Sequence, residues 1–108
     1  MNKVYLIGRI AHDFELKFFD NGKRCYIQFP ISILFIHKFT GEKVTDFIDI
    51  VAFDKKAEII NEYLSKGSQI SIEGHIQIGS YMDKQQQKRY STKIILESFQ
   101  FMDKKNTV

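Results

Sequence analysis

The sequence predicts an all-β protein, a five-stranded barrel with one α-helix between the third and fourth strands. Most of the chain alternates apolar and polar residues with period two, as half-buried strands do. Only the segment that follows residue 53 carries apolar residues at helical spacing. The 108 residues, 44% of them hydrophobic, are enough for one core. We therefore expect one domain over residues 1–103 and a short extension over residues 104–108.

The first two strands follow from alternation and from a turn signal. Residues 2–10 alternate, which predicts the first strand. Asp20-Asn21-Gly22 is a strong turn signal, and the alternating residues 24–38 after it predict a long second strand. Pro30 lies inside this strand. Because proline has no N–H to donate, we expect an edge or a bulge there.

The third strand is predicted over residues 44–53, and the helix follows it directly. Asp54 is a suitable N-cap, and Gly67 is a natural C-terminal stop. Apolar residues recur between them at helical spacing, namely Ala57, Ile60, Tyr63 and Leu64.

The last two strands are predicted over residues 69–81 and 89–101, joined by a polar tip at residues 83–88. Four isoleucines of the fourth strand share one face, which we expect to be the core: Ile70, Ile72, Ile76 and Ile78. The order of three strands, one helix and two strands is that of the partly open Greek-key barrel known as the OB-fold.

Charge and targeting signals favour a cytoplasmic protein. The formal net charge of +3 permits a polyanionic partner without requiring one. Cys25, the single cysteine, cannot form an internal disulfide and is expected to be a small buried residue of a strand. No apolar run is long enough to span a bilayer, and no signal-peptide cleavage site follows Met1.

Three large aromatic residues are predicted on the outer side of the barrel. If the aliphatic faces form the core, Phe47, Phe53 and Tyr81 lie outside among polar residues. Nucleobases stack on any aromatic ring, so these side chains point to single-stranded nucleic acid as ligand. For Phe53, beside the start of the helix, packing under a loop, under the helix or in a subunit interface is an equally good explanation.

Basic residues cluster at both hairpin tips, where they would suit a phosphate backbone. They are Lys38 and Lys43 at one tip, and Lys84, Lys88 and Arg89 at the other. The alternative for each of them is a side chain that is merely solvated.

Signals for catalysis are weak, and no enzyme, metal or cofactor is expected. His12, His37 and His75 are scattered without metal-ligand spacing, and each is expected to be a surface residue without a partner. The chain has no glycine-rich phosphate loop and no nucleophile-elbow serine. A small nuclease is excluded because no cluster of carboxylates or histidines is present.

Several different short motifs follow one another along the chain in a specific order and spacing. They are Asn2-Lys3-Val4, Leu6-Ile7-Gly8-Arg9, Asp13, Glu15-Leu16, Asp46-Phe47-Ile48, Val51, Phe53, Lys56-Ala57-Glu58, Tyr63-Leu64, Lys66-Gly67-Ser68, Ile72-Glu73-Gly74, Ser80-Tyr81, Arg89-Tyr90 and Thr92. In this arrangement the chain resembles the bacterial single-stranded-DNA-binding protein family over nearly its whole length, about residues 2–103.

The resemblance implies an OB-fold subunit that assembles as a homotetramer and wraps single-stranded DNA without sequence preference, with no small-molecule substrate. It places Phe47, Phe53 and Tyr81 at base-stacking positions. Three lysines match basic positions near the DNA path, namely Lys3, Lys55 and Lys66. A further stacking residue of the family lies after the second strand, and its counterpart here is Phe35, His37 or Phe39.

The chain also departs from this family. Ile48 and Asp49 stand where the family often has basic or neutral polar residues. Gln77, Gly79 and Ser80 stand at positions that are often basic. The family's acidic tail tip, which recruits replication and repair proteins, is missing at residues 104–108, so tail-mediated partners are not expected. Either the chain is truncated or it is a paralogue of plasmid or phage origin.

A second class of function stays open. An OB-fold accessory protein of the primosome or of recombination would have another protein as its main ligand, and its outer aromatics would be interface residues. Titration with a fluorescent oligo-dT discriminates between the two.

Overall fold

The computed structural model describes residues 1–102, so the expected domain end at residue 103 and the extension 104–108 lie outside it. The elements in chain order are β1 (Val4–Ile10), β2 (Lys17–Phe19), β3 (Arg24–Ile36), β4 (Lys43–Phe53), α1 (Asp54–Tyr63), β5 (Gln69–Met82) and β6 (Lys88–Phe101). The five predicted strands and the predicted helix are all present. The strand β2 is additional.

The strands close into a barrel. The sheet order is β1-β5-β6-β4-β3-β2, and a further pairing of β1 with β3 joins its two sides. The ladder between β4 and β6 is parallel, and the others are antiparallel. Closure requires Gly8, because a Cβ there would lie 2.6 Å from the carbonyl oxygen of Ser32 on β3. The predicted five-stranded barrel is therefore confirmed, with β2 added at the free edge of β3.

The predicted turn before β3 exists, and β2 results from it. Asp20, Asn21 and Gly22 all have positive φ, at 55°, 56° and 80°, a conformation that Asn, Asp and Gly adopt more readily than other residues. This tight turn folds Lys17–Phe19 back onto β3. Three residues are too few to show a period, so alternation missed this strand.

Pro30 lies at a local edge rather than a bulge. The register between β3 and β4 runs unbroken through the pair Pro30 and Asp49. The carbonyl oxygen of Pro30 accepts a hydrogen bond from the N–H of Ala11, at 2.9 Å. The nitrogen and oxygen of a strand residue point to the same side. The proline nitrogen therefore faces away from β4, toward the side of β3 on which β1 ends at Ile10.

The core is aliphatic with one large ring, Phe29. Every residue of 1–102 that is buried is apolar or a glycine, and α1 contributes Ala57 and Ile60. Cys25 is buried, as expected, and burial raises the pKa of its thiol.

The predicted helix boundaries need correction. Asp54 is the first residue of α1, with a positive φ of 55°, and Phe53 is the N-cap. The Asp54 carboxylate accepts hydrogen bonds from the Arg24 guanidinium, at 2.9 Å, and from the N–H of Cys25, at 3.3 Å, instead of capping its own helix. The helix ends at Tyr63, with Leu64 as its C-cap, so Gly67 is not the residue that stops it. The N–H of Gly67 instead donates a hydrogen bond to the carbonyl oxygen of Ile10. Within residues 1–102, no helix is long and apolar enough to cross a membrane.

Two hairpins continue beyond the barrel as two-stranded ribbons. Residues 33–46 form the β3–β4 arm and residues 77–93 form the β5–β6 arm, because in these ranges each strand pairs only with its hairpin partner. The expectation that Ile76 and Ile78 lie in the core is wrong, since both are exposed. The β5–β6 ladder shifts register between Glu73 and Gly74, just before the strands leave the barrel.

Candidate nucleic-acid interface

The outer face of β4 is built as the alternation predicts. Phe47 stands on it with 64% of its surface exposed, at the root of the β3–β4 arm. Asp49 is exposed on the same side. Val51, of the same parity, is buried because it lies in the parallel ladder opposite Ile95 of β6. The face therefore has an apolar hollow between its polar and aromatic residues.

Phe53 belongs to a cluster of aromatic rings that the sequence analysis missed. Its ring centroid lies 6.4 Å from that of Phe19 and 6.4 Å from that of Tyr26, and these two are 5.9 Å apart. The guanidinium carbon of Arg24 lies 5.1 Å from the Phe19 centroid and 5.8 Å from the Phe53 centroid. Tyr26 is the cross-strand partner of Phe53. The register of the β3–β4 ladder therefore reveals this contact, which spacing in the sequence does not.

The guanidinium of Arg24 is held by an ion pair. It meets the carboxylate of Asp54 at 2.9 Å, and this contact is the main cause that holds the pKa of Asp54 below its ordinary value. The aromatic cluster is thus fixed on one side by an arginine that is itself held at the start of α1.

A cleft of about 340 Å³ opens in this face. We call it the outer-face cleft, and it is lined by Phe19, Tyr26, Gln28, Val51, Phe53, Gln77, Lys93 and Ile95. Its size falls within the range of small-ligand pockets, roughly 300–1,000 Å³. Aromatic and aliphatic walls with two amides and one ammonium suit a flat, partly polar, anionic ligand. Phe53 thus packs within an aromatic cluster and also lines the outer-face cleft.

The β5–β6 arm carries Tyr81 on the same strand face as Gln77. Tyr81 is 56% exposed and pairs across the ladder with Arg89. The Nε of Arg89 donates to Asp83 at 2.9 Å. The hydrogen bond from the N–H of Gln87 is the main cause that holds the pKa of Asp83 below its ordinary value, and the hydrogen bond from Arg89 is the next.

The other predicted cations of this arm lie elsewhere. Lys88 pairs with Met82 on the opposite face, with its ammonium 5.6 Å from the ring centroid of Tyr90. Lys84 lies in the tip.

The β3–β4 arm separates the three candidates for the additional stacking residue. Phe35 pairs with Val44 on the face opposite to Phe47. His37 and Phe39 lie together in the turn, with ring centroids 6.2 Å apart. The same turn carries Lys38, and Lys43 begins β4 on the Phe47 face.

Lys3 lies in a network of charges rather than beside the aromatic residues. Its ammonium contacts the carboxylates of Glu73 and Glu97, and Glu97 also contacts the Nδ1 of His75 at 3.0 Å. The expectation that His75 has no partner is therefore wrong. The hydrogen bond from Lys3 is the main cause that holds the pKa of Glu97 below its ordinary value, and the contact with His75 is the next. In turn, the carboxylates of Glu97 and Glu73 raise the pKa of Lys3.

Lys55 and Lys66 are also apart from the cleft. Lys55 is exposed in the first turn of α1. Lys66 is exposed after the helix and lines a separate cavity of about 140 Å³ with Asp13 and Phe14. The structure thus brings Phe53, Lys93 and Gln77 into one cleft. It places Phe47 at the root of the β3–β4 arm and Tyr81 on the β5–β6 arm.

Histidine, cysteine and carboxylate side chains form no metal-binding group of three or more within the described residues.

Comparisons with known proteins agree with this architecture. The family model for the single-strand binding protein family matches residues 1–102. Single-stranded DNA-binding protein 1 of Staphylococcus aureus is 37% identical over 99% of this chain and 69% of its own length. Single-stranded DNA-binding protein 3 of Clostridium acetobutylicum is 40% identical over 95% of this chain and 72% of its own length. A solved Plasmodium falciparum SSB in complex with ssDNA superposes with a TM-score of 0.85 and 25% identity, covering 95% of this chain and 96% of that one. The chain belongs to the single-strand binding protein family.

Proposed function

We propose that this protein binds single-stranded DNA without sequence preference and protects it during replication, recombination or repair. The observation that carries the proposal is the outer face itself, where Phe47 at the root of one arm and Tyr81 on the other are exposed beside an aromatic cleft. Relatives across the whole length of this chain are named single-stranded DNA-binding proteins, and a similar fold has been solved with ssDNA. The proposal involves no catalytic step.

Affinity comes from two sources in this proposal. Bases stack on the rings of Phe47 and Tyr81, and each stacked base contributes roughly 1–3 kcal/mol. Phosphates contact cations on or near the same face, which makes binding depend on salt. These cations are Lys38, Lys43, Lys84, Arg89 and Lys93. Lys3, Lys55 and Lys66 take part only where DNA continues around the subunit.

We further propose that the subunits form a homotetramer that acts on DNA in the cytoplasm. Residues 4–8 of β1 pair with β5, while only Arg9 and Ile10 pair with β3. Within residues 1–102, the second edge of residues 4–8 therefore stays open, and such an edge can pair with a second copy of the same strand. Tyr5 and Ile7 are exposed beside it. Light scattering should give a tetramer mass at micromolar concentration, and a monomer mass would overturn this proposal.

An accessory protein that binds another protein is the second candidate. Its support is the apolar surface of the β3–β4 arm, where Leu34 and Ile36 are exposed. This surface would serve a protein partner as well as it serves nucleic acid.

Titration of the protein with fluorescent oligo-dT and with an oligonucleotide of mixed sequence separates the two candidates. We expect micromolar or tighter binding to both, and intact labelled DNA after incubation with magnesium. Absence of binding to either oligonucleotide would favour the accessory protein, and cleavage would contradict both.

A further inference from the structure

We infer that the outer-face cleft is a preformed subsite for one nucleotide, in which Lys93 of β6 holds the phosphate and the cluster around Tyr26 and Phe53 holds the base. This inference rests on the proposed function and adds the location of one nucleotide. None of Lys93, Tyr26 and Gln28 was among the residues that the sequence pointed to.

Lys93 stands in an environment unlike that of the other described lysines. Among the lysines of residues 1–102, it is the one whose side chain is half-buried rather than exposed. Its ammonium forms no ion pair within that part of the chain, and Asp49, one position before the Ile50–Ile94 pair of the parallel ladder, does not reach it. No carboxylate of residues 1–102 neutralises this ammonium at the wall of the cleft, so it is available to an anion. A phosphate that enters the cleft supplies one.

The shape of the cleft suits one nucleotide. Lys93 and Ile95 lie on the same face of β6, and Ile95 forms the apolar floor with Val51. The rings of Tyr26 and Phe53 form one wall. A base placed against this wall and floor leaves its phosphate on the side of the ammonium.

The polar lining of the cleft bears on which bases it can accept. The side chains of Gln28 and Gln77 line the cleft. A carboxamide both donates and accepts hydrogen bonds, and rotation by half a turn exchanges the two groups. Such side chains can therefore donate to one base and accept from another, which fits binding without sequence preference.

The aromatic wall of the cleft is held in place by neighbouring side chains. Tyr26, Phe53 and Phe19 contact one another, and Arg24 lies over two of these rings while it is paired with Asp54. The wall therefore exists before any ligand arrives, which lowers the entropy that binding must remove. Arg24 is a positioning residue here, because its guanidinium is already engaged.

The cross-strand pair Gln77–Lys93 permits a direct test. The two residues face each other on the β5–β6 ladder, so a cation moved from position 93 to position 77 stays in the cleft. For single strands, each phosphate that a cation of the protein neutralises adds about 0.7 to the steepness of log K against log [salt]. We expect Lys93→Gln to make the slope for oligo-dT binding shallower by about 0.7 per subunit. The double variant Lys93→Gln with Gln77→Lys should restore it.

Lys56→Gln is the matched control, because Lys56 is exposed on α1 and does not line the cleft. Its slope should equal that of the wild-type protein. Tyr26→Leu removes a ring and no charge, so it should weaken binding about ten-fold while the slope stays unchanged. Melting curves on every variant confirm that the folded protein is being compared.

The outcomes separate the subsite from the general function. If the wild-type protein does not bind oligo-dT, both proposals are overturned. If it binds, but Lys93→Gln keeps the wild-type slope or the double variant fails to restore the slope, the subsite is overturned and single-stranded DNA binding stands.

Discussion

The barrel and its two arms are made from the same strands and behave differently. Ile72 and Ile78 are the same residue type, on the same strand and with the same parity, yet their side chains are 1% and 64% exposed. At Ile72 the strand β5 has neighbours on both sides, β1 and β6. At Ile78 it pairs with β6 alone. Alternation therefore assigns a residue to a face, whereas burial of that face requires barrel closure.

The difference assigns separate tasks to the two regions. The barrel buries aliphatic side chains and supplies stability, as expected for the closed part of a sheet. The arms leave large side chains such as Tyr81 and Leu34 exposed, where they can meet a ligand or a second copy of the chain.

The largest expected effect is on the stability of the barrel. Ile50→Ala should lower the free energy of unfolding by roughly 2–5 kcal/mol, because Ile50 is fully buried. Ile78→Ala, the matched substitution in an arm, should change it by less than about 0.5 kcal/mol. Denaturation by urea measures both. An equal loss from Ile78→Ala would mean that the arm is covered in the assembled protein.

Two glycines of β5 test the same boundary. A Cβ on Gly74 would lie 2.3 Å from the carbonyl oxygen of Ile95, so the backbone must move, whereas on Gly79 it would lie 3.2 Å from the Oγ of Ser91. We expect Gly74→Ala to reduce stability by about 1–3 kcal/mol, as overpacking does. Gly79→Ala should reduce it much less. Similar melting temperatures for the two variants would contradict this distinction.

For the arms, the expected effect is on affinity. Phe47→Ala and Tyr81→Ala should each weaken oligo-dT binding about ten-fold or more, since a stacked base contributes roughly 1–3 kcal/mol and about 1.4 kcal/mol is a factor of ten. Their melting temperatures should change little, because both rings are exposed. Tyrosine emission should be quenched by DNA in the wild-type protein, and less so in Tyr81→Ala. Unchanged affinity in both variants would show that these rings do not hold DNA.

A smaller effect is expected from the exposed carboxylate of Asp49, which stands on the Phe47 face and repels phosphate. Asp49→Asn should strengthen oligo-dT binding about two- to five-fold at low salt, in line with the roughly 0.2–1 kcal/mol of an exposed charge pair. Asp46→Asn is the control, because Asp46 faces the other way, opposite Ile33. Equal gains in both variants would point to net charge alone.

The smallest expected effect is a pH dependence of barrel stability. The contact with Lys3 is the main cause, and the contact with His75 the next, that holds the pKa of Glu97 below its ordinary value of about 4.5. A lowered carboxyl pKa adds stability that is present above the ordinary value and is lost as the pH falls through the lowered one. The melting temperature should therefore decrease when the pH is lowered below about 4. Lys3→Gln should flatten that fall, and an unchanged profile would show that the network does not contribute.

The sequence by itself determined the order of the long strands and the helix, and the faces of β4 and β5. These properties depend on a local period of two and on a local turn signal, so Phe47 and Tyr81 could be placed on the outside from their parity alone.

Tertiary structure decided how far each strand stays buried and which side chains share a site. Local alternation does not show where β5 leaves the barrel, and so it assigned Ile76 and Ile78 to the core. Tyr26 meets Phe53, and Lys93 faces Gln77, only through the registers of the β3–β4 and β5–β6 ladders, which alternation along a single strand does not fix. The Asp54 carboxylate likewise binds Arg24 instead of capping α1, because Arg24 offers an ion pair that a backbone N–H does not.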